Sequence, residues 1–141
     1  MFSDCKCIEK VNFIRFNRND ITSMSSMLEG CSKLKKLNLN SFNTSKVTDM
    51  NYMFFECSSL EELNLNNFNN EEVTTMREMF SGFSSLKDLN ISNFITDNVT
   101  NMSSMFSRCA SLNDNVFDMS EMFNECFLLK ELKIKNIKTL V

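Results

Sequence analysis

A 26-residue periodicity constrains this chain more than any other feature it carries. Ile21, Val47, Val73 and Val99 open successive rows that align without gaps. Within the second row the apolar residues are Val47, Met50, Met53, Phe54, Cys57, Leu60, Leu63, Leu65 and Phe68. The third places Val73, Met76, Met79, Phe80, Phe83, Leu86, Leu89, Ile91 and Phe94 at the same steps, and the first runs from Ile21 to Phe42 on the same scheme. Fixed periods of this length belong to chains whose repeats bury their apolar faces on one another rather than in one central core.

The frame extends in both directions. Cys5, Ile8, Val11, Phe13 and Phe16 stand one period before Cys31, Leu34, Leu37, Leu39 and Phe42, so residues 1–20 read as an N-terminal half-repeat cap. Full repeats follow at 21–46, 47–72 and 73–98, then a shortened repeat at 99–115 and a C-terminal repeat at 116–141. The shortened row keeps Val99, Met102, Met105, Phe106, Cys109 and Leu112 but loses the stretch equivalent to Leu89–Phe94. A row of that length lacks the residues for a full strand. The segment Leu132–Ile134 is therefore expected to pair directly with Leu89–Ile91, or the sheet breaks there. Between Leu63–Leu65 and Leu89–Ile91 the pairing is expected to be regular and parallel.

Two periods share each row. Val-Thr-x-Met-x-x-Met-Phe-x-x-Cys spaces its apolar residues like one face of a short helix, and Ser-Ser marks the exit. Leu-x-x-Leu-x-Leu then alternates like a strand with one buried face. The expected fold class is α/β: a leucine-rich-repeat solenoid of 26-residue repeats, with parallel short strands on one face and short helices on the other. The whole of 1–141 is read as one solenoid domain.

These rows resemble the BspA-like leucine-rich repeats, and most of all the Met-Phe-rich variety of mycoplasma-type surface lipoproteins. The resemblance runs from Cys5 to Ile137. It implies a cell-surface or secreted protein concerned with adhesion and protein binding. The first residues, Met1-Phe2-Ser3-Asp4-Cys5-Lys6-Cys7, have no signal-peptide character, which leaves a cytoplasmic location open.

Composition supports a non-enzyme. There is no His, and Gly occurs only at 30 and 82. Imidazole bases, His-ligated zinc and Gly-rich phosphate loops are thereby excluded. The acids Glu61, Glu62, Glu71 and Glu72 read as solvated loop. A net charge of −3 gives no reason to expect nucleic acid, and no apolar run approaches the length of a membrane span. No cofactor or metal is expected. Ten of the eleven Met fall in two columns beside Phe, which suits core packing; soft-metal binding by Met and Cys is the alternative. Five of the six Cys share one column with Phe83, as buried free thiols would, while Cys7 lies outside it and is open to pairing with Cys5 or Cys31.

The expected functional surface is the outward strand face: Lys36, Asn38, Asn40, Glu62, Asn64, Asn66, Asp88, Asn90 and Ser92. Stacked repeats bind partners across such faces. A protein or peptide ligand is the expectation there. The alternatives are a passive structural spacer and an intracellular scaffold.

Overall fold

The computed structural model describes residues 1–14, 16, 18–109 and the backbone of 131–133. Successive rows lie on one another, and their backbone hydrogen bonds run between rows one period apart. Met24, Ser26, Leu28 and Gly30 donate their N–H groups to the carbonyls of Asp49, Asn51, Met53 and Phe55, at 2.8–3.0 Å. Met50, Tyr52, Phe54 and Glu56 do the same to Thr75, Arg77, Met79 and Ser81, and Met76, Glu78, Phe80 and Gly82 to Asn101, Ser103, Met105 and Ser107. Parallel bridges Ser23–Asp49, Asp49–Thr75 and Thr75–Asn101 continue the same stack. The half-row joins it through Phe2 N–H to Met27 O and Asp4 N–H to Glu29 O.

The segments expected as helices are not helical among the described residues. Each is a pair of successive four-residue turns. Met24 O accepts from Met27 N–H and Leu28 O from Cys31 N–H; Met50–Met53 and Phe54–Cys57 repeat the pair. The third residue of each turn has positive φ, the sign pattern of a type II turn. Ser26, Tyr52, Glu78 and Ser104 form one such column (φ 51° to 57°), and Asp4, Gly30, Glu56, Gly82 and Arg108 form the other (φ 57° to 84°). The physical reason lies in the pitch. Rows joined by strand-type hydrogen bonds stack at about 4.8 Å, whereas a helix with its side chains is about 10 Å wide. Flat turns fit that pitch on both sides of the stack, whereas helices on one side would force the stack to curve.

Among the described residues, the strand side is paired in two places. β1 (Lys10–Asn12) pairs in parallel with β2 (Lys36–Asn38), placing Val11 beside Leu37. β3 (Asp88–Asn90) pairs in parallel with β4 (Glu131–Lys133), placing Leu89 beside Leu132. Of the two outcomes the missing stretch leaves open, direct pairing is the one observed. The regular pairing expected between Leu63–Leu65 and Leu89–Ile91 is absent: residues 61–64 belong to no strand and make no backbone–backbone hydrogen bond among the described residues. Charge does not account for which rows pair. Lys10 lies opposite Lys36 and Asp88 opposite Glu131, yet the rows carrying Lys36 and Glu62, of opposite sign, form no strand pair among the described residues.

Between the two sides runs one continuous core. Met50, Met53, Met76 and Met79 are fully buried, and Met24, Met27, Met102 and Met105 nearly so. Phe54, Phe80 and Phe106 form a ladder of near-parallel rings, 5.9 and 5.4 Å between centroids. The thiols of Cys31 and Cys57 lie in this core and are free. Their Sγ atoms donate to the carbonyls of Phe2 at 3.1 Å and Leu28 at 3.2 Å, one row back. Cys109 does the same to Phe80 O at 3.1 Å. Cys7 is exposed and free, paired with neither Cys5 nor Cys31. The expectations for Leu112, Val116, Met119, Met122, Phe123, Cys126, Leu129, Ile134 and Ile137 lie outside the described residues.

Candidate functional site

The strand face is built by alternation. Leu37, Leu39, Leu63, Leu65, Leu89 and Ile91 turn inward, so the residues between them turn out. Lys36, Asn38, Asn40, Glu62, Asn64, Asn66, Asp88 and Asn90 are exposed, and Ser92 is half-buried.

The Asn column has a local task. Asn38 Oδ1 accepts the Asn40 N–H at 3.0 Å, Asn64 Oδ1 the Asn66 N–H at 2.9 Å, and Asn90 Oδ1 the Ser92 N–H at 3.0 Å. Each is an Asx turn that leads the chain off the strand face. The next column then stitches rows together. Asn67 Nδ2 donates to the carbonyls of Leu39 and Phe42, and Asn93 Nδ2 to those of Leu65 and Phe68. Beneath them, Thr44 and Asn70 are buried, and each holds both the N–H and the carbonyl of one residue in the following row, Asn69 and Ile95. These polar columns serve backbone groups that no ladder satisfies.

At residues 61–64, which make no backbone–backbone hydrogen bond among the described residues, a cleft of about 540 Å³ lies on the strand face. Lys35, Lys36 and Leu37 form one wall, Glu61, Glu62, Leu63 and Asn64 the floor, and Asp88 and Asn90 the other wall. Five of the sequence-predicted residues therefore meet in one place: Lys36, Glu62, Asn64, Asp88 and Asn90. Asn38, Asn40, Asn66 and Ser92 do not line it. Lys35, Leu37, Glu61 and Leu63 were not singled out by the sequence reading. Their signal was the doublet Lys35-Lys36 facing the doublet Glu61-Glu62 one row on, hidden by the assumption of an unbroken ladder. Lys35 Nζ is engaged by Glu9 at 3.2 Å, so Lys36 alone stands against Glu61, Glu62 and Asp88. The cleft is net acidic.

Elsewhere, a cavity of about 630 Å³ lies by the first row, lined by Met1, Phe16, Ile21, Met24, Met27 and Phe42 together with Arg18, Ser23 and Ser25. Among the described residues no group of three or more His, Cys, Asp or Glu side chains is placed to hold a metal ion. Nor, among them, is any helix long and apolar enough to cross a membrane.

Comparison with known proteins gives one match. No curated protein and no solved structure matches the chain. A family model does, over residues 1–117, well beyond half of the chain. By that match the chain belongs to the family described as "Mycoplasma protein of unknown function, DUF285".

Proposed function

We propose that the chain is a non-catalytic binding module, a BspA-like leucine-rich-repeat solenoid whose outward strand face takes a protein or peptide ligand. The observation that carries this reading is the cleft at residues 61–64, where five outward side chains converge on a stretch of unpaired backbone. A recess of a few hundred Å³ with a few convergent polar groups is the usual form of a recognition site. The resemblance to BspA-like repeats supports reading such a module as part of a cell-surface or secreted protein.

The test is a selection from a random peptide library on the full chain, followed by competition. Selected ligands are expected to bind at least tenfold more weakly to the Glu62→Lys and Asp88→Lys variants, with thermal stability unchanged. Ligands that bind all variants equally would overturn the strand-face reading. A second reading, a structural spacer, draws support from the Asn column, whose members, though exposed, each use their Oδ1 to close a turn. It predicts that selection yields no ligand sensitive to the strand face.

A further inference from the structure

We infer that the cavity at the first row binds an extended segment of a partner chain, anchored by apolar side chains on the pattern Val-Thr-x-Met that the rows themselves use. This surface lies at the end of the stack and shares no described lining residue with the strand-face cleft. Three observations carry the inference. First, there is room at a free end. The half-row meets the later part of the first double turn, through Phe2 N–H to Met27 O and Asp4 N–H to Glu29 O, and among the described residues makes no backbone hydrogen bond to residues 21–25. The cavity of about 630 Å³ lies there, a volume in the range of ligand sites. Ile21, on its wall, is only half-buried, although its counterparts Val47 and Val73 are fully buried and Val99 is 3 % exposed. Apolar surface that the later rows cover is open here.

Second, the backbone along this recess is set for one register. Ser23 O and Ser25 O stand where Asp49 O and Asn51 O stand in the next row, and those two accept the N–H groups of Met24 and Ser26. Thr22 N–H stands where Thr48, Thr74 and Thr100 N–H donate to the carbonyl one row back. Among the described residues none of the three groups has a backbone partner. A segment in the register of a row gives two N–H groups and takes one, while its Val and Met side chains enter the recess beside Ile21 and Met24. It thereby continues the row-on-row interface of the stack, and main-chain bonds of this kind are a recurrent means of holding an extended ligand. Third, charge favours an apolar segment. Among the described lining residues Arg18 is the charged side chain, and Asp20 holds it with both carboxylate oxygens, at 2.9 and 3.0 Å. A charged side chain entering among Met24, Met27, Phe16 and Phe42 would lose water without gaining a partner.

The experiment uses the full chain and a blocked heptapeptide with the uncharged sequence of residues 98–104, Asn-Val-Thr-Asn-Met-Ser-Ser. Two control peptides accompany it. One is N-methylated at the Met and final Ser amides, the groups that would meet Ser23 O and Ser25 O; the other has Val and Met replaced by Ser. Backbone amide NMR and titration are the readouts. The parent peptide is expected to bind with shifts concentrated at residues 21–27 and with slowed hydrogen exchange at the Thr22 amide. Each control peptide is expected to bind at least tenfold more weakly. The Ser25→Trp variant, whose ring fills the recess, is expected to lose binding, whereas Ser103→Trp, in the same column at the shortened row, is expected to keep it. Equal binding of the N-methylated peptide would show apolar contact without main-chain pairing and overturn the inference. So would shifts centred on the strand face at 61–64, or no binding of the parent peptide. Self-association of the chain in sedimentation, with the same shifts appearing on concentration alone, would give the recess to a second copy and overturn it likewise. The methylated peptide decides the matter even if Ser25→Trp fails to fold.

Discussion

Gly82 shows how one residue can carry a contact across three rows. Its φ is +84°, and the Glu56 side chain lies over it to reach Arg108, whose guanidinium it meets at 2.7 Å. A Cβ at position 82 would stand 2.9 Å from Glu56 Cδ and 3.2 Å from Glu56 Cα. The carboxylate can move aside, but the backbone atom cannot. Gly82→Ala is therefore expected to cost about 2 kcal/mol from left-handed strain and crowding together, seen as a lower urea midpoint at unchanged slope. Next to it, the buried hydroxyl of Ser81 has no hydrogen-bond partner among the described residues. Ser81→Ala removes that stranded group and is expected to raise stability by about 1 kcal/mol; a loss in the same titration would mean the hydroxyl is satisfied. Burial pushes the Cys57 thiol well above its ordinary value. The folded state thus keeps a proton that the unfolded chain releases above about pH 8.5. Stability is fully present below that pH and declines above it, by up to about 1.4 kcal/mol per pH unit for this group. Position 83 in the same column accepts Phe, so Cys57→Val should fold. Unfolding midpoints at pH 7.5 and 9.5 are expected to differ less in the variant than in the parent, and an identical decline would sink the assignment.

At the scale of elements, both the double turn and the Asx turn replace what the sequence pattern suggested. Two four-residue turns in succession, Met24–Met27 and Leu28–Cys31, send every third or fourth side chain inward. A helix face does the same, so apolar spacing cannot separate the two. The strand-face Asn residues read as ligand contacts because they are outward and regular. Their regularity has a closer cause in the N–H groups two residues on, which their side chains accept. Replacing Asn38, Asn64 and Asn90 by Ala is expected to cost about 0.5–1 kcal/mol each, since these bonds are exposed. An additive loss in thermal melts would support the turn role, and three neutral substitutions would return the column to the binding surface.

At the scale of the whole molecule, the rows form a stack in which almost every contact is made with the neighbour one period away. The shortened row tests that order, because β3 and β4 come together across it in the register Asp88–Glu131, Leu89–Leu132, Asn90–Lys133. In a Cys7→Ser background, the pair Asp88→Cys with Glu131→Cys is expected to oxidise to an intramolecular disulfide. The pair Asp88→Cys with Lys133→Cys, displaced along the strand, is not. Peptide mapping after mild oxidation distinguishes them, and cross-linking of the displaced pair alone would refute the register.

The sequence by itself determined which side chains face inward, how long a row is and which row is short of a strand. Those properties follow from hydrophobic burial, which is written residue by residue as a period. Only the tertiary structure decided that the Met-rich segments are turns and that residues 61–64 remain unpaired. Both depend on where backbone N–H and carbonyl groups find partners, and those partners sit in another row at a pitch no single row specifies. The cleft owes its residues to the repeat and its place to a row that, among the described residues, makes no backbone–backbone hydrogen bond at 61–64.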